Sequence, residues 1–286
     1  ATTEIYTLSL HDALPISDFS KDMSKGSVAE GIELLYKKNE INDVTTLTSV
    51  FDRGTQSDPR LDLAFDYLGY LGTPTRTAEQ IKKELYELAC YQRLSCGPTQ
   101  SSIGVSGLDK NVGKAMDIVE DLIFNAQPDT AILAGLKSDI FKSRSDSKLS
   151  QRACFSALQK YLFYGPEFIR NTTLTNEQIA ALTSDELLQA VRDLYTKRHD
   201  ILYYGPSDET TAKNMIAEHH KISENPEPLE RIHPQARQVT SSEVFIAPYD
   251  ANQFYYLQYS DRGEKFNVPG QPSRSRKSCT NSLATR

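Results

Sequence analysis

The stretch VTTLTSVFDRGTQSDPRLDLAFDYLGYLGT, residues 44–73, decides the fold because it predicts a strand, a turn and a helix in direct succession. β-branched residues dominate Val44–Phe51, a composition typical of a strand. Asp58 can cap a helix and Pro59 suits its first position, while Gly72 ends it. The apolar residues of this helix fall on one face: Leu61, Phe65, Leu68 and Leu71. This pattern predicts a helix layer that packs on a sheet.

The chain after this stretch predicts mainly helices. Capping boxes, in which Ser or Thr is followed three residues later by Glu or Gln, mark helix starts. They pair Thr77 with Gln80, Thr175 with Gln178, and Thr183 with Glu186. Further helices are predicted from Asp109, from Asp129 to about Ser147, and over residues 151–163, where Tyr164-Gly165-Pro166 ends the helix.

Strands are fewer than helices in this pattern. Residues 91–96 and 101–108 flank a Gly-Pro turn and predict a hairpin, whose second arm alternates apolar and polar side chains. Residues 199–204 predict a short strand, and Ser207 can cap a helix towards His219. We therefore predict an α+β fold, a two-layer sandwich with helices packed on one face of a mostly antiparallel sheet.

Both ends of the chain differ in character from its middle. Residues 7–16 match the translation of a common sequencing-adapter oligonucleotide, so we interpret residues 1–17 as a sequencing artefact. Residues 268–286 have no periodic apolar positions and a basic Ser/Arg bias, which predicts a disordered tail or a frame-shift. We expect the chain to be a fragment of a longer protein.

The remaining sequence divides at a stretch rich in proline and charge. Residues 18–222 predict one α+β domain, and residues 223–242 predict an inter-domain linker without periodicity. Residues 243–267 then predict the start of a second, similar domain, with strands at 243–247 and 253–260.

Composition excludes several functional classes. Hydrophobic residues make up 38% and charged residues 24%, which is typical of a globular protein. The formal net charge of -6 argues against non-specific nucleic-acid binding, which requires a basic surface. No stretch approaches the run of about 18 apolar residues that predicts a membrane span.

The sequence contains no recognisable catalytic or metal-binding constellation. The five histidines show none of the spacings typical of zinc ligands: His11, His199, His219, His220 and His233. The four cysteines form no Cys-x-x-Cys pair, and we expect free thiols: Cys90, Cys96, Cys154 and Cys279. Gly-x-Ser-x-Gly and phosphate-binding loops are absent from the sequence.

Several segments, in this order, resemble the insulinase/pitrilysin family of zinc metallopeptidases. They lie at residues 50–54, 64–73, 133–146 and 201–206, and the resemblance covers residues 42–206. It implies an insulinase-like fold for this region. Active members of the family carry His-x-x-Glu-His on the helix of residues 64–73, where two His bind zinc and the Glu polarises water.

The resemblance also implies that this chain has lost the zinc motif. Alignment on the Gly-Thr pair at residues 72–73 places Leu63, Asp66 and Tyr67 at the three motif positions. The family's third zinc ligand is a Glu on a later helix, and this chain has no Glu between Glu120 and Glu167. We therefore expect no metal, no cofactor and no catalytic residue on this chain.

Such a chain corresponds to the non-catalytic, C-terminal half of a two-half peptidase. The resemblance implies that zinc sits on the catalytic half, in the same chain or in a partner subunit, and that both halves enclose a peptide substrate. The chain alone is then inactive, although its parent protein is a zinc endopeptidase. The alternative is a non-enzymatic scaffold or assembly subunit of the same fold.

Overall fold

The computed structural model describes residues 23–232, 236–238, 240–260 and 278–285, the last of these by backbone alone. Its strands are β1 (Ser24–Ala29), β2 (Ile32–Lys38), β3 (Val44–Phe51), β4 (Cys90–Cys96), β5 (Ser101–Leu108), β6 (His199–Gly205), β7 (Gln253–Ser260) and β8 (Ser278–Thr285). The helices of the same residues are α1 (Leu61–Leu68), α2 (Ala78–Glu87), α3 (Asp109–Asn125), α4 (Thr130–Ser147), α5 (Gln151–Thr172), α6 (Asn176–Ala181), α7 (Ser184–Arg192) and α8 (Glu209–His219), with a 3-10 turn at Asp193–Thr196.

Six strands form one sheet in the order β1-β2-β6-β3-β5-β4. Neighbouring strands in this sheet run antiparallel, except β2 and β6, which run parallel in a register that joins Ile32 to His199. Helix α3 packs against β3, β4 and β5, and α8 packs against α3 and β1. The predicted α+β sandwich, with its mostly antiparallel sheet, is therefore confirmed.

Strand β3 shows how the sheet separates a covered face from an open one. Its buried side chains are Thr45, Leu47, Ser49 and Phe51, and the residues between them are half-buried or exposed. Such strict alternation is expected when one face of an antiparallel sheet packs on helices and the other does not. The pattern in the sequence therefore places the core between β3 and the helices.

The predicted strand, hairpin and capping boxes are also confirmed. Strand β3 has the predicted bounds, and β4 and β5 form the predicted hairpin. In each of the three capping boxes, the Thr side chain accepts the backbone N–H three residues on, and the Gln or Glu side chain bonds back to the Thr backbone.

The sequence analysis did not identify β1 and β2. Strand β1 lies at the edge of the sheet and is polar, with Gly26 in its middle, so it lacks the alternation that marks a strand. In β2, Leu35 breaks the alternation because it lies on the open face, directly opposite Leu202. Both strands depend on pairing with distant chain, which local patterns do not reveal.

Three residues that were predicted to cap helices have other hydrogen-bond partners. Helix α1 begins at Leu61, and the buried Asp58 carboxylate accepts hydrogen bonds from the Arg60 backbone and side chain before the helix starts. Asp109 is the first residue of α3, but its carboxylate accepts from Ser207 Oγ at 2.6 Å instead of capping the helix. Ser207 therefore serves Asp109, and the N-cap of α8 is Asp208.

Helix α5 continues past its predicted end. Gly165 interrupts it with φ +76° and ψ -179°, and a second helical segment follows from Pro166 to Thr172. Only glycine readily adopts this positive φ, so the predicted break is correct, but the chain resumes a helix after it.

The region of the predicted second domain holds one short sheet. Strand β7 matches the predicted strand at 253–260 and pairs antiparallel with β8, which lies in the segment expected to be a disordered tail. Residues 243–247 form no strand, and Val244 and Ile246 are both exposed. The domain boundaries at 18–222, 223–242, 243–267 and 268–286 stay a prediction. The segment 1–17, residues 261–277, His11 and His233 lie outside the described residues.

A close backbone contact fixes the turn between β3 and α1. A Cβ added at Gly54 would lie 2.2 Å from the Gly97 carbonyl oxygen, which accepts a hydrogen bond from Thr55 N–H. We expect Gly54→Ala to lower the free energy of unfolding by about 1–3 kcal/mol, because the backbone must shift.

Urea denaturation of this variant and of Gly135→Ala tests the contact. A Cβ at Gly135, inside α4, would meet nothing within 4 Å. Gly135→Ala should therefore be neutral or stabilise by up to about 1 kcal/mol, through helix propensity alone. Equal effects of the two substitutions would contradict the predicted contact.

Candidate functional site

Helix α1 carries the three positions at which the resemblance places a lost zinc motif. Leu63 and Tyr67, four residues apart, are both buried, whereas Asp66 is exposed. Leu63 has no donor atom for a metal. The helix therefore retains its place in the fold while its inward side chains belong to the apolar core.

Tyr67 lies at a position where the resemblance places a zinc-binding His, and its side chain has a structural role. Its hydroxyl accepts the Asp129 N–H at 2.7 Å and lies 2.9 Å from Ser184 Oγ. Asp129 is the N-cap of α4, and Ser184 is the first residue of α7. Because the hydroxyl oxygen holds the starts of two other helices, it is not free to bind a cation.

A cleft of about 360 Å³ adjoins this helix. One wall contains Leu63 and Asp66 of α1, and the opposite wall contains Arg144 of α4 and Lys160 of α5. Burial, and then the neighbouring Asp62 charge, raise the pKa of Asp66 above its ordinary value. The cleft thus has an acidic and a basic wall.

The residues of this region do not fit a zinc ion. Among the described residues, no group of three or more His, Cys, Asp or Glu side chains is arranged to hold a metal. The two basic side chains of the cleft are also engaged, since Arg144 donates to Asn176 Oδ1 at 2.7 Å and Lys160 Nζ lies 5.4 Å from the Phe168 ring centre. That the chain uses no metal or cofactor remains a prediction.

The open face of the sheet is a second candidate surface, defined by Tyr91, Thr46, Thr48, Leu202 and Tyr204. The register places Tyr91 opposite Ser106, Ser106 opposite Thr46, and Thr46 opposite Tyr204. Strands lie about 4.8 Å apart, so the two tyrosines stand roughly 14 Å apart across the sheet. Both are exposed, and between them the floor is small and hydroxylated.

Gly104 lies on the same open face, in the next row of paired residues, and it adds no side chain to that surface. A Cβ at Gly104 would lie 2.7 Å from the Leu47 carbonyl oxygen and 2.9 Å from Thr48 Oγ1. The surface between the two tyrosines is therefore made of small side chains, of which Ser106 is buried and bonded to Thr46.

The structure separates the histidines into two environments. His199 and His220 are buried and bond to each other, with Nε2 atoms 2.8 Å apart, and His220 Nδ1 lies 2.5 Å from Glu120 Oε1. His219 Nδ1 lies 2.9 Å from Asp117 Oδ1 near the surface. No pattern in the sequence indicates this pairing, because its members come from three separate elements.

The described cysteines carry no reactive signature. Cys90, Cys96 and Cys154 are free thiols, as expected from their spacing. Burial raises the pKa of the Cys90 and Cys96 thiols, which disfavours the nucleophilic thiolate. The strand of Cys279 is described by its backbone only. No helix of the described residues is long and apolar enough to cross a bilayer.

Comparison of the fold with solved structures gives clear matches. The periplasmic protease PqqL from Escherichia coli superposes with a TM-score of 0.69 at 16% identity, over 85% of this chain. A peptidase M16 inactive domain from Pseudomonas fluorescens matches with a TM-score of 0.62 at 15% identity, over 74% of this chain. The fold is that of the M16 peptidases. A putative M16-like peptidase from Alicyclobacillus acidocaldarius also matches, with a TM-score of 0.58 at 12% identity, over 75% of the chain.

These matches support an insulinase-like fold, and one of the matched structures is described as an M16 inactive domain. No protein-family profile and no curated sequence matches the chain. The chain spans 28% of PqqL, 54% of the Pseudomonas structure and 53% of the Alicyclobacillus structure.

The structural role of Tyr67 leads to a stability prediction. Tyr67→Phe should lower the free energy of unfolding by about 1–3 kcal/mol, because it removes the hydroxyl that bonds to the backbone of Asp129 and to the buried Ser184 side chain. Chemical denaturation measures the change.

Tyr86→Phe is the matched control, since Tyr86 is 84% exposed on α2. It should change stability by less than about 0.5 kcal/mol. If Tyr67→Phe were as mild as this control, the hydroxyl would not hold α4 and α7.

Proposed function

We propose that this chain is the first domain of a non-catalytic half of an insulinase-type zinc endopeptidase. In this proposal it forms part of the wall of a peptide-enclosing chamber, and the zinc site lies on the other half. That half belongs to the same chain or to a partner subunit.

The single observation that carries the proposal is the fate of helix α1. In support of it, the two inward positions at which the resemblance places zinc-binding His are Leu63 and Tyr67, which are packed and hydrogen-bonded into the core of a fold similar to that of the M16 peptidases. Loss of a site with retention of the surrounding fold is expected when another domain performs the chemistry. The likeness to a structure described as an M16 inactive domain agrees with this interpretation.

The open face supplies a surface suited to a peptide. Thr46 and Thr48 offer half-buried hydroxyl groups to a peptide backbone, and Tyr91, Leu202 and Tyr204 offer apolar contact to its side chains. Arg93 lies 5.3 Å from the Tyr91 ring centre and adds a positive charge at one rim. These residue types favour adaptable contacts with varied peptides rather than one fixed sequence.

In the parent enzyme, zinc would polarise the attacking water on the catalytic half. The residues of this chain would hold the peptide against the sheet and exclude bulk solvent, which strengthens the electrostatic interactions of the chamber.

The first test is the metal content of the purified chain. We expect well under one zinc per chain by elemental analysis after dialysis against zinc, and no cleavage of unstructured peptides. One zinc per chain, abolished by substitution of His199, His219 or His220, would contradict the proposal.

The second test is peptide binding to the open face. Fluorescence anisotropy with a pool of labelled, unstructured 15-residue peptides should show weak binding, and Tyr91→Ala with Tyr204→Ala should weaken it by about 10-fold, since two aromatic contacts are lost. Tyr86→Ala, on the outer surface of α2, should leave binding unchanged. Equal losses in both variants would exclude the open face as the peptide surface.

A scaffold subunit of the same fold is the competing function, because the absence of a metal cluster among the described residues fits it equally. The two differ in their genomic context. A His-x-x-Glu-His motif in the same or a neighbouring reading frame favours the peptidase, whereas its absence from both, together with no peptide binding, favours the scaffold.

A further inference from the structure

Three buried titratable side chains from three elements form a continuous hydrogen-bonded chain. His199 begins β6, Glu120 lies in α3, and His220 directly follows α8. Each of the three is at most 6% exposed. His220 bridges the other two, with Nε2 at 2.8 Å from His199 Nε2 and Nδ1 at 2.5 Å from Glu120 Oε1.

The number of protons shared by these three side chains follows from the hydrogen-bond acceptors around them. His199 Nδ1 lies 3.0 Å from the Lys197 carbonyl oxygen, which can only accept, so His199 carries its proton on Nδ1. Its Nε2 must then accept, and His220 Nε2 must donate. One further proton is needed between His220 Nδ1 and Glu120 Oε1, because an ionised carboxylate and an unprotonated nitrogen would otherwise meet at 2.5 Å.

The same groups attach residues 219–221, which lie just before the predicted linker, to α3. The second carboxylate oxygen of Glu120 accepts the Lys221 N–H at 2.8 Å. His219 adds its contact to Asp117, one turn earlier on α3, and a Cβ at Gly113 would lie 2.6 Å from the His219 ring. Residues 219–221 are therefore fitted closely to one side of α3 as the chain leaves α8.

The side chains that pack beside His199 are aromatic, and the charge that acts on it is that of His220. The ring centres of Phe51 and Tyr195 lie 4.6 Å and 6.3 Å from the imidazole. Burial and the Glu120 charge raise the pKa of Tyr195 well above 10, so its hydroxyl stays neutral. The Lys221 ammonium lies over the Phe124 ring. Among the described residues, Glu120 is the only carboxylate hydrogen-bonded to either buried histidine, and its partner is His220.

We propose that His199, His220 and Glu120 form a pH-sensitive latch that holds residues 219–221 on α3. The latch opens when His199, which already carries a proton on Nδ1, takes up a second proton on Nε2. Protonated His199 would turn its Nε2–H towards the Nε2–H of His220 at 2.8 Å, so the two donors must separate. His220 and the backbone of Lys221 then leave Glu120, and residues 219–221 are released from α3, whereas the backbone bonds of Glu227 to Thr196 and Arg198 further along the chain remain. This latch does not depend on the proposed function of the domain.

The direction of the pH effect follows from burial. Burial, with the His220 charge, lowers the pKa of His199 from 6.5 to about 4, against the opposing hydrogen bond to Lys197. The closed state therefore binds this proton more weakly than the open state. Closure is favoured fully above pH 6.5 and is weakened as the pH falls towards 4, and the opening equilibrium rises by about 30-fold between pH 7.5 and pH 5.

Hydrogen exchange of the full chain, measured by mass spectrometry from pH 7.5 to 5 and corrected for intrinsic amide rates, tests the latch. Peptides that cover residues 215–222 should lose protection by about 30-fold over this range. Peptides from Val44–Phe51 should keep theirs. His199→Gln, whose amide oxygen can accept from His220 but does not titrate, should reduce the loss to less than about 3-fold.

His219→Gln is the matched control, because it makes the same substitution at the adjacent, more exposed histidine and should retain the wild-type pH dependence. An unchanged pH dependence in His199→Gln would overturn the latch, as would simultaneous loss of protection in Val44–Phe51. A second readout needs no variant: the His199 ring resonances of the wild-type chain should titrate near pH 4 together with opening. Titration of His199 near 6.5 would also overturn the proposal.

Discussion

The two-sided pairing of β3 is the constraint on which the rest of the structure depends. This strand bonds antiparallel to β5 on one side and to β6 on the other, so it fixes the register of the local hairpin and of a strand about 150 residues away. Its alternating side chains decide which face of the sheet the helices cover. A shift of one residue would expose Leu47 and Phe51 and bury the hydroxyl groups of the open face. Each exposed side chain would cost about 1.5–3 kcal/mol in lost burial.

Helix α1 is the next helix after β3, and its inward side chains are part of the apolar core. The inward positions of α1 hold Leu63, which adds apolar burial, and Tyr67, which adds hydrogen bonds to the starts of α4 and α7. A catalytic site requires the opposite, namely polar ligands held free of other partners. In this chain the same positions stabilise the helix layer, and the adjacent cleft remains as an opening between α1, α4 and α5.

The buried polar groups join elements that apolar packing alone would leave loosely defined. The Asp109 carboxylate gathers Ser207 and Tyr203 where α3, β6 and the start of α8 meet. The hydrogen-bonded side chains from His199 to Glu120 join β6 and α3 to the other end of α8. Phe51, at the end of β3, packs on the His199 ring and so connects this polar cluster to the core of the sheet. Because buried polar groups are costly unless satisfied, these networks specify one arrangement of α8 and the linker.

The sequence by itself determined the local elements. The alternation of β3, the hairpin and the three capping boxes are short-range signals, and each was found in place. That Leu63, Asp66 and Tyr67 stand at the positions of a zinc motif stays a prediction from the resemblance. Only the tertiary structure decided that β1 and β2 complete the sheet, that Tyr67 bonds to Asp129, and that His199 meets His220 and Glu120. These features depend on contacts between residues far apart in the chain, and no local period or cap records which distant partner a buried polar group will find.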